Sequence, residues 1–169
     1  MTKPRVAVIM GSDSDWETME KCTAQLKSLG IEPVVEVMSA HRSPQRVHEF
    51  ARGAQDAGIE VIIAAAGLAA GLAGTVAANT ALPVIGVPIA SGSLQGVDAL
   101  LSTVQMPPGV PVATVGIGPA GAVNAALLAA QIIGRHDAEV DRAVRKYKDG
   151  LAEGVEKKNR ALQEKLTRR

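Results

Sequence analysis

Two short segments of the chain combine residue types that suit proton transfer and anion binding. Residues 39–44 read SAHRSP, so that His41 and Arg42 lie just before a proline that favours the first turn of a helix. Imidazole is the side chain whose ordinary pKa allows proton transfer in both directions near neutral pH. Guanidinium binds carboxylates and phosphates. The pair therefore predicts a general acid/base beside an anion-binding group.

The second segment is GSDSD at residues 11–15, at a predicted turn from a strand to a helix. Backbone amides and serine hydroxyls at the start of a helix suit a phosphate. The two carboxylates there, Asp13 and Asp15, suit helix capping or hydrogen bonds from a ribose. A simple cluster of helix-capping residues is the alternative interpretation. The glycine spacing matches neither a Walker loop nor a dinucleotide-binding motif.

Two glycine-rich loops complete the set of candidate segments. Residues 67–74 read GLAAGLAG and carry almost no side chains, which lets a ligand lie against backbone amides or a helix pack close to a sheet. Residues 88–96 read PIASGSLQG and add hydroxyls and a second helix start. The other histidines, His48 within a helix and His136 after the last core helix, are predicted to have surface or capping roles.

Alternating strands and helices are expected to position these four loops. Apolar runs predict strands at 5–10, 33–38, 61–66, 84–87 and 112–116, and helices at 14–29, 44–57, 69–79 and 120–133. This alternation predicts a three-layer α/β/α fold around one doubly wound parallel sheet. Such sheets bind ligands at the carboxyl ends of their strands. Because each of the four loops follows a strand, we expect all of them at that edge.

The C-terminal segment differs from the rest of the chain. We predict a catalytic domain over residues 1–136 and a charged helical extension over residues 137–169 that could be broken at Gly150 or Gly154. A neighbouring subunit is the natural cover for its apolar stripe, which predicts a homo-oligomer. The stripe consists of Val140, Val144, Tyr147, Leu151, Val155, Leu162 and Leu166.

Composition excludes several classes of protein. The 169 residues include 47% hydrophobic and 21% charged side chains, which is typical of one globular domain. The 18 basic and 17 acidic side chains are nearly balanced, so the net charge does not indicate a nucleic-acid-binding protein. With 2% aromatic residues, the chain also lacks a surface on which bases could stack. The single cysteine, Cys22, predicts neither a disulfide nor a thiolate metal site. The apolar run at 61–78 favours strand, loop and helix over a membrane span, so we expect a cytoplasmic protein without membrane contact.

Four motifs together resemble the PurE family of purine biosynthesis. They are GSDSDW at 11–16, SAHRSP at 39–44, GVDAL at 96–100 and VQMP at 104–107, and the resemblance extends over residues 5–134. It implies a flavodoxin-like subunit in a homo-octamer whose C-terminal helices pack onto neighbours. It also implies interconversion of N5-carboxyaminoimidazole ribonucleotide and 4-carboxyaminoimidazole ribonucleotide without a metal or an organic cofactor.

The resemblance also implies roles for single residues. His41 is the expected proton-transfer residue, and Ser12, Asp15 and Arg42 are expected to bind the ribonucleotide. With the neighbouring loop positions, the full predicted substrate-binding set is Gly11, Ser12, Ser14, Asp15, Ser39, Ala40, Arg42, Gly67, Ala69, Gly71 and Leu72.

One position departs from the family pattern. The mutase branch usually has AAHLPG where residues 69–74 here read AAGLAG, so that Gly71 replaces a histidine. Three interpretations remain: a mutase variant, an aminoimidazole ribonucleotide carboxylase that takes free CO2, or a nucleotide-binding protein with impaired chemistry. The carboxylase branch usually has lysine after the loop histidine and Arg-Ser-Asn in the third loop. Arg42 and residues 68–70 match the mutase branch instead, which is therefore the favoured interpretation.

Overall fold

A five-stranded parallel sheet forms the centre of the protein, whose computed structural model describes residues 5–167. The strands lie in the order β2-β1-β3-β4-β5. Their bounds are β1 (Val6–Met10), β2 (Val34–Val37), β3 (Val61–Ala66), β4 (Val84–Pro88) and β5 (Ala113–Thr114). The helices are α1 (Trp16–Ser28), α2 (Pro44–Gly53), α3 (Leu72–Ala77), α4 (Val97–Val104), α5 (Pro119–Ile133) and α6 (Ala138–Thr167).

Helices cover both faces of the sheet, because its central strands are apolar on both sides. All residues of β1 and β4 are buried, whereas the edge strand β2 alternates between half-buried and exposed positions. Helices α1, α5 and the start of α6 pack on one face, and α2 and α3 pack on the other. The predicted three-layer α/β/α fold with a doubly wound sheet is confirmed.

Small residues allow close packing between these layers. Ala122, Ala125 and Ala129 of α5 have no exposed surface and belong to the core cluster that includes α1. On the opposite face, Gly86 of β4 lies beneath α4. A β-carbon at Gly86 would lie 2.3 Å from Cγ2 of Thr103, so glycine is what lets α4 approach the sheet. A core with only 2% aromatic residues can therefore still be densely filled.

Several elements differ from their predicted bounds. Helix α2 ends at Gly53 rather than at residue 57, and β5 spans Ala113–Thr114 rather than residues 112–116. Helix α4 follows the helix start that residues 88–96 predict, although no helix bounds were predicted between the fourth and fifth strands. Helix α1 starts after a 3₁₀ turn at Asp13–Asp15, rather than at residue 14. Helix α3 starts at Leu72 rather than at residue 69, because residues 67–71 remain a loop.

Helix α6 is continuous through Gly150 and Gly154, so the structure does not show the break that these glycines suggested. Its first turns bury Val140 and Val144 in the same core cluster as α1 and α5. This part of the predicted extension therefore packs on its own chain. The rest projects, and its apolar side chains are 53–63% exposed: Leu151, Val155, Leu162 and Leu166.

An ionic cluster anchors the start of α6 to the sheet. Arg5 donates hydrogen bonds to Glu60 and, over 2.6 Å, to Oδ2 of Asp137. His136 Nε2 lies 2.6 Å from Oε2 of Glu60, so this histidine has a structural role. The hydrogen bond from Arg5 holds the pKa of Glu60 below its ordinary value, although partial burial opposes this shift.

Two further sequence-based expectations bear on the core and on membranes. Cys22 is fully buried in α1, and burial raises the pKa of its thiol to about 12. It is thus a core side chain, as predicted. Within residues 5–167, no helix has the length and hydropathy needed to cross a membrane.

Candidate active site

A cavity of about 590 Å³ lies at the carboxyl ends of the strands, where the chain crosses from one side of β1 to the other. The structure brings all twelve predicted site residues to its wall: Gly11, Ser12, Ser14, Asp15, Ser39, Ala40, His41, Arg42, Gly67, Ala69, Gly71 and Leu72. Three lining residues were not in the predicted set: Ala66, Leu68 and Ser91.

The first loop holds its polar groups in a helix cap that faces this cavity. Ser12 is the N-cap residue, and its Oγ accepts a hydrogen bond from the Ser14 N–H. Oδ2 of Asp15 accepts one from the Ser12 N–H at 3.2 Å, which completes a capping box. The hydroxyl of Ser14 donates to Oγ of Ser12 at 2.9 Å. Capping and exposure to a ligand are therefore compatible in this loop.

Asp15 is the buried carboxyl group of the site, with 8% of its surface exposed. Burial raises the pKa of Asp15, because a carboxylate is less well solvated there than in water. The Ser12 N–H and the positive charge of Arg42 oppose this shift. A carboxylate held in this way can accept hydrogen bonds from the hydroxyls of a sugar.

Arg42 joins the first and second loops. Its Nη2 donates a hydrogen bond to the carbonyl oxygen of Gly11 at 2.8 Å. Its backbone N–H donates to Oγ of Ser39, while the Ser43 N–H donates to the Ser39 carbonyl at 2.8 Å. The second loop is thus a hydrogen-bonded turn that holds a guanidinium group next to the hydroxyls of the first loop.

His41 faces the third loop at Gly71. A β-carbon built on Gly71 would lie 3.3 Å from Nε2 of His41 and 3.9 Å from its Cε1. The Gly71 N–H donates to the Ala69 carbonyl at 2.8 Å, and the Gly71 carbonyl accepts from Thr75, so the backbone is fixed at this position. The imidazole therefore lies against bare backbone at this point of the cavity wall.

The third and fourth loops contact each other above the ends of β3 and β4. Leu68 has a φ of 54°, which a leucine rarely adopts, and Gly92 opposite it has a φ of 64°. A β-carbon at Gly92 would lie 2.7 Å from Cδ2 of Leu68. Ser91 could have been suspected because it follows a strand end in a loop that the sequence analysis had singled out. The same signal applies to Leu68, which lies in the third loop. Ala66 is the last residue of β3 and carries no such signal.

Among residues 5–167, no three or more histidine, cysteine, aspartate or glutamate side chains are grouped so that they could hold a metal ion. The side chains of the cavity instead offer an imidazole, a guanidinium, hydroxyls and one buried carboxyl group. These groups suit an anionic, hydroxyl-bearing ligand and proton transfer.

Comparison with known proteins identifies the family. The family model described as AIR carboxylase matches residues 5–154. The chain belongs to this family. The N5-carboxyaminoimidazole ribonucleotide mutase of Mycobacterium tuberculosis is 53% identical over 169 residues, which cover 98% of this chain and 96% of that protein. The mutase of Escherichia coli K12 is 50% identical over 151 residues and 89% of each chain.

A solved structure shares the fold. The crystal structure of Treponema denticola PurE superimposes with a TM-score of 0.85 at 31% sequence identity, and covers 94% of this chain and 98% of that one. The resemblance to the PurE family and the flavodoxin-like architecture are thereby confirmed. The strand order of β2-β1-β3-β4-β5 is the flavodoxin-like order.

Proposed function

We propose that this protein interconverts N5-carboxyaminoimidazole ribonucleotide and 4-carboxyaminoimidazole ribonucleotide, and so acts as an isomerase of purine biosynthesis. The relatives that carry this activity in their names are about half identical in sequence over most of the chain. The observation that carries the proposal is the position of His41. Its Nε2 faces the bare backbone of Gly71 inside the cavity that also holds Arg42 and the first loop.

Binding of the ribonucleotide divides between the first two loops. Arg42 and the hydroxyls of Ser12 and Ser14 bind the phosphate, which is the most highly charged part of the substrate. The carboxylate of Asp15 accepts hydrogen bonds from the ribose hydroxyls. These contacts place the aminoimidazole ring toward His41 and the third loop.

The reaction transfers a carboxyl group without net loss or gain of atoms. The bond between the exocyclic nitrogen and the carboxyl carbon breaks, CO2 leaves, and the electron pair stays on nitrogen, which takes a proton from the His41 imidazolium. Ring carbon 4 then attacks CO2 and forms a carbon–carbon bond. The neutral imidazole removes the proton from carbon 4, which restores the aromatic ring and returns His41 to its starting state.

The third loop retains CO2 between the two steps. Its wall consists of glycine, alanine and leucine backbone and side chains, among them Gly67, Ala69 and Leu72. A small apolar space excludes water and keeps CO2 beside the ring, so that recapture behaves as a unimolecular step. In this proposal His41 performs both proton transfers, because Gly71 provides no second imidazole.

The interpretations raised by Gly71 are not equally supported. The relatives above carry the name of the mutase, and no contact among residues 5–167 favours use of free CO2 or a loss of chemistry. The carboxylase and the non-catalytic nucleotide-binding protein therefore remain outcomes of the test rather than second proposals.

Assembly and location belong to the same proposal. The projecting half of α6 exposes Leu151, Val155, Leu162 and Leu166, and a second copy of the chain would bury this stripe. We expect a homo-oligomer, and the family resemblance predicts an octamer. A cytoplasmic location follows from the substrate, since a phosphorylated nucleotide does not cross membranes unaided.

The decisive test is an assay of the full-length protein in both directions with the two carboxylated nucleotides. His41→Asn should lower kcat by about 10²- to 10⁴-fold and leave nucleotide binding nearly unchanged, because asparagine cannot transfer protons. His48→Asn, an exposed histidine of α2, is the matched control and should behave as the wild type. Near-normal turnover by His41→Asn would contradict the role of His41. Carboxylation of aminoimidazole ribonucleotide at modest bicarbonate, without use of the N5-carboxylated compound, would contradict the mutase.

A further inference from the structure

Ser91 has a buried hydroxyl without a partner at the wall of the cavity. It lies just after the end of β4 and lines the same space as His41 and Gly71. Among the described residues, its Oγ is the buried side-chain oxygen or nitrogen that makes no hydrogen bond. Buried hydroxyls are normally paired, because leaving one unpaired is unfavourable, so an exception in a ligand cavity calls for a functional reason.

Gly67 leaves the space that this hydroxyl occupies. A β-carbon on Gly67 would lie 2.3 Å from Oγ of Ser91. This distance is too short for any side chain at position 67 unless Ser91 moves. The same β-carbon would lie 3.3 Å from Cβ of Ser91. The two loops are thus matched so that a hydroxyl, and little more, fits between the ends of β3 and β4.

The distribution of polar groups indicates what the hydroxyl binds. The phosphate and ribose groups of the substrate are assigned to the loops after β1 and β2. The lining from the β3 side is apolar or bare backbone, and Ser91 is the polar side chain that the cavity receives from the loop after β4. In the binding mode proposed above, the carboxyl group that is transferred would lie on this side of the cavity, where its oxygens need hydrogen-bond donors.

We propose that Ser91 contacts the substrate and donates its hydroxyl proton in a hydrogen bond to the carboxyl group that moves between nitrogen and carbon. This inference rests on the proposed mutase function and adds a residue to its site. Rotation about the Cα–Cβ bond turns Oγ from Gly67 toward the cavity, and a serine hydroxyl has staggered positions available for this. The hydroxyl gains its missing partner when the carboxylated nucleotide is bound.

Calorimetric titration with two nucleotides tests this assignment. Each protein compared, including the one with the wild-type residue at position 91, carries His41→Asn so that it binds the nucleotides without converting them. Ser91→Ala should bind 4-carboxyaminoimidazole ribonucleotide roughly 10- to 100-fold more weakly than the wild type, and aminoimidazole ribonucleotide equally well, because only the first has the carboxyl group. Ser93→Ala, an exposed serine of the same loop, is the matched control and should match the wild type.

A double substitution separates packing from hydrogen bonding. Gly67→Ala forces its β-carbon against Oγ of Ser91 and should lower the melting temperature. Adding Ser91→Ala removes that oxygen and should restore much of the melting temperature, since the remaining contact to Cβ is 3.3 Å. Discrimination between the two nucleotides should stay lost in the double variant, because the hydroxyl is still absent.

Equal affinities of Ser91→Ala and wild type for both nucleotides would overturn the inference, and so would an equal loss for both, which indicates a general structural role. If the wild type binds both nucleotides but converts neither, the proposed function fails. The affinity ratio between carboxylated and uncarboxylated nucleotide would still decide whether Ser91 contacts the carboxyl group.

Discussion

Gly71 faces the ring of His41, and a β-carbon at position 71 would lie only 3.3 Å from Nε2. Real β-carbons are rarely this close to a neighbour, so any side chain at this position displaces the imidazole by a few tenths of an ångström or more. The backbone itself permits substitution, because φ of Gly71 is −77°. The space at Gly71 therefore determines the position of the His41 imidazole, for which we propose the role in proton transfer.

The first prediction concerns this contact. Gly71→Ala should lower kcat by about tenfold with little change in thermal stability, because misplacing a catalytic group by a fraction of an ångström reduces the rate while the fold tolerates the methyl group. Steady-state kinetics and a melting curve measure both effects. Gly53→Ala, in α2 with no atom within 4 Å of the new β-carbon, is the control with unchanged kinetics. Unaltered kcat in Gly71→Ala would show that the ring position is not critical.

The second prediction concerns the buried carboxyl group. Burial raises the pKa of Asp15, so its ionisation makes the folded state less stable as the pH rises above the ordinary value of 3.8 toward neutrality. Asp15→Asn should therefore raise the free energy of unfolding at pH 7 by about 1 kcal/mol, or Tm by roughly 2–4 °C. The gain should shrink as the pH is lowered toward 4. Asparagine still accepts the hydrogen bond from Ser12, so the cap survives.

The same variant should lose function. Nucleotide affinity of Asp15→Asn should fall by about 10- to 100-fold, because a neutral amide is a weaker acceptor for sugar hydroxyls than a carboxylate. Urea unfolding at the two pH values and calorimetric titration provide the measurements. Asp13→Asn, an exposed neighbour, is the control for charge alone and should change both quantities less. A less stable Asp15→Asn at pH 7 would contradict the cost of burying this charge.

The third prediction concerns the ionic cluster at the start of α6. The hydrogen bond from Arg5 lowers the pKa of Glu60, so this group stabilises the folded protein above the ordinary glutamate value of 4.5 and loses the contribution as the pH falls through the lowered pKa. Glu60→Gln should lower the free energy of unfolding at pH 7 by about 1 kcal/mol or less, since the side chain is 33% exposed.

Urea unfolding at pH 7 and at decreasing pH values measures this difference, which should shrink below pH 4.5. Glu32→Gln removes an exposed pair with Lys27, whose side chains are 71% and 57% exposed, and should stay within about 0.5 kcal/mol of the wild type. A loss of stability in Glu60→Gln that is independent of pH would show that packing, rather than charge, holds α6 to the sheet.

The fourth prediction concerns assembly. Leu151→Glu combined with Val155→Glu should lower the mass measured by light scattering, because two carboxylates cannot be buried in an apolar contact between copies. The monomer fold should persist, since both side chains are exposed in the single chain. Glu153→Ala on the same turn is the control and should keep the wild-type mass. An unchanged mass of the double variant would exclude this face of α6 as the contact.

Much of the site follows from sequence because parallel strands end at a common edge. Once residues 11–15, 39–44 and 67–74 are assigned to loops after strands, their convergence at one cavity is a matter of topology. Ser91 is different, because its position depends on the path of the fourth loop through the positive φ values of Gly92 and Gly96, which the residue types alone do not specify.

Two features of the fold could not be predicted from the sequence patterns. Val140 and Val144 belong to the same apolar stripe as Leu151 and Val155, yet only the first pair packs on its own chain. An apolar stripe indicates that one face of a helix is covered. Which surface covers each part of it depends on how far α1 and α5 extend alongside α6. Helix α4 lies between two glycine- and proline-rich stretches, whose loop signals obscured its eight residues.

Helix α6 is 30 residues long, which corresponds to about 45 Å at 1.5 Å per residue. From residue 151 onward every position of α6 except half-buried Gly154 is exposed, and a single helix of that length is only marginally stable in water. Backbone amide protons in this part should therefore exchange with solvent within a short time when the chain is alone. In the proposed homo-oligomer, contact with another copy would slow that exchange, and the ordering of this half of α6 would then increase with protein concentration.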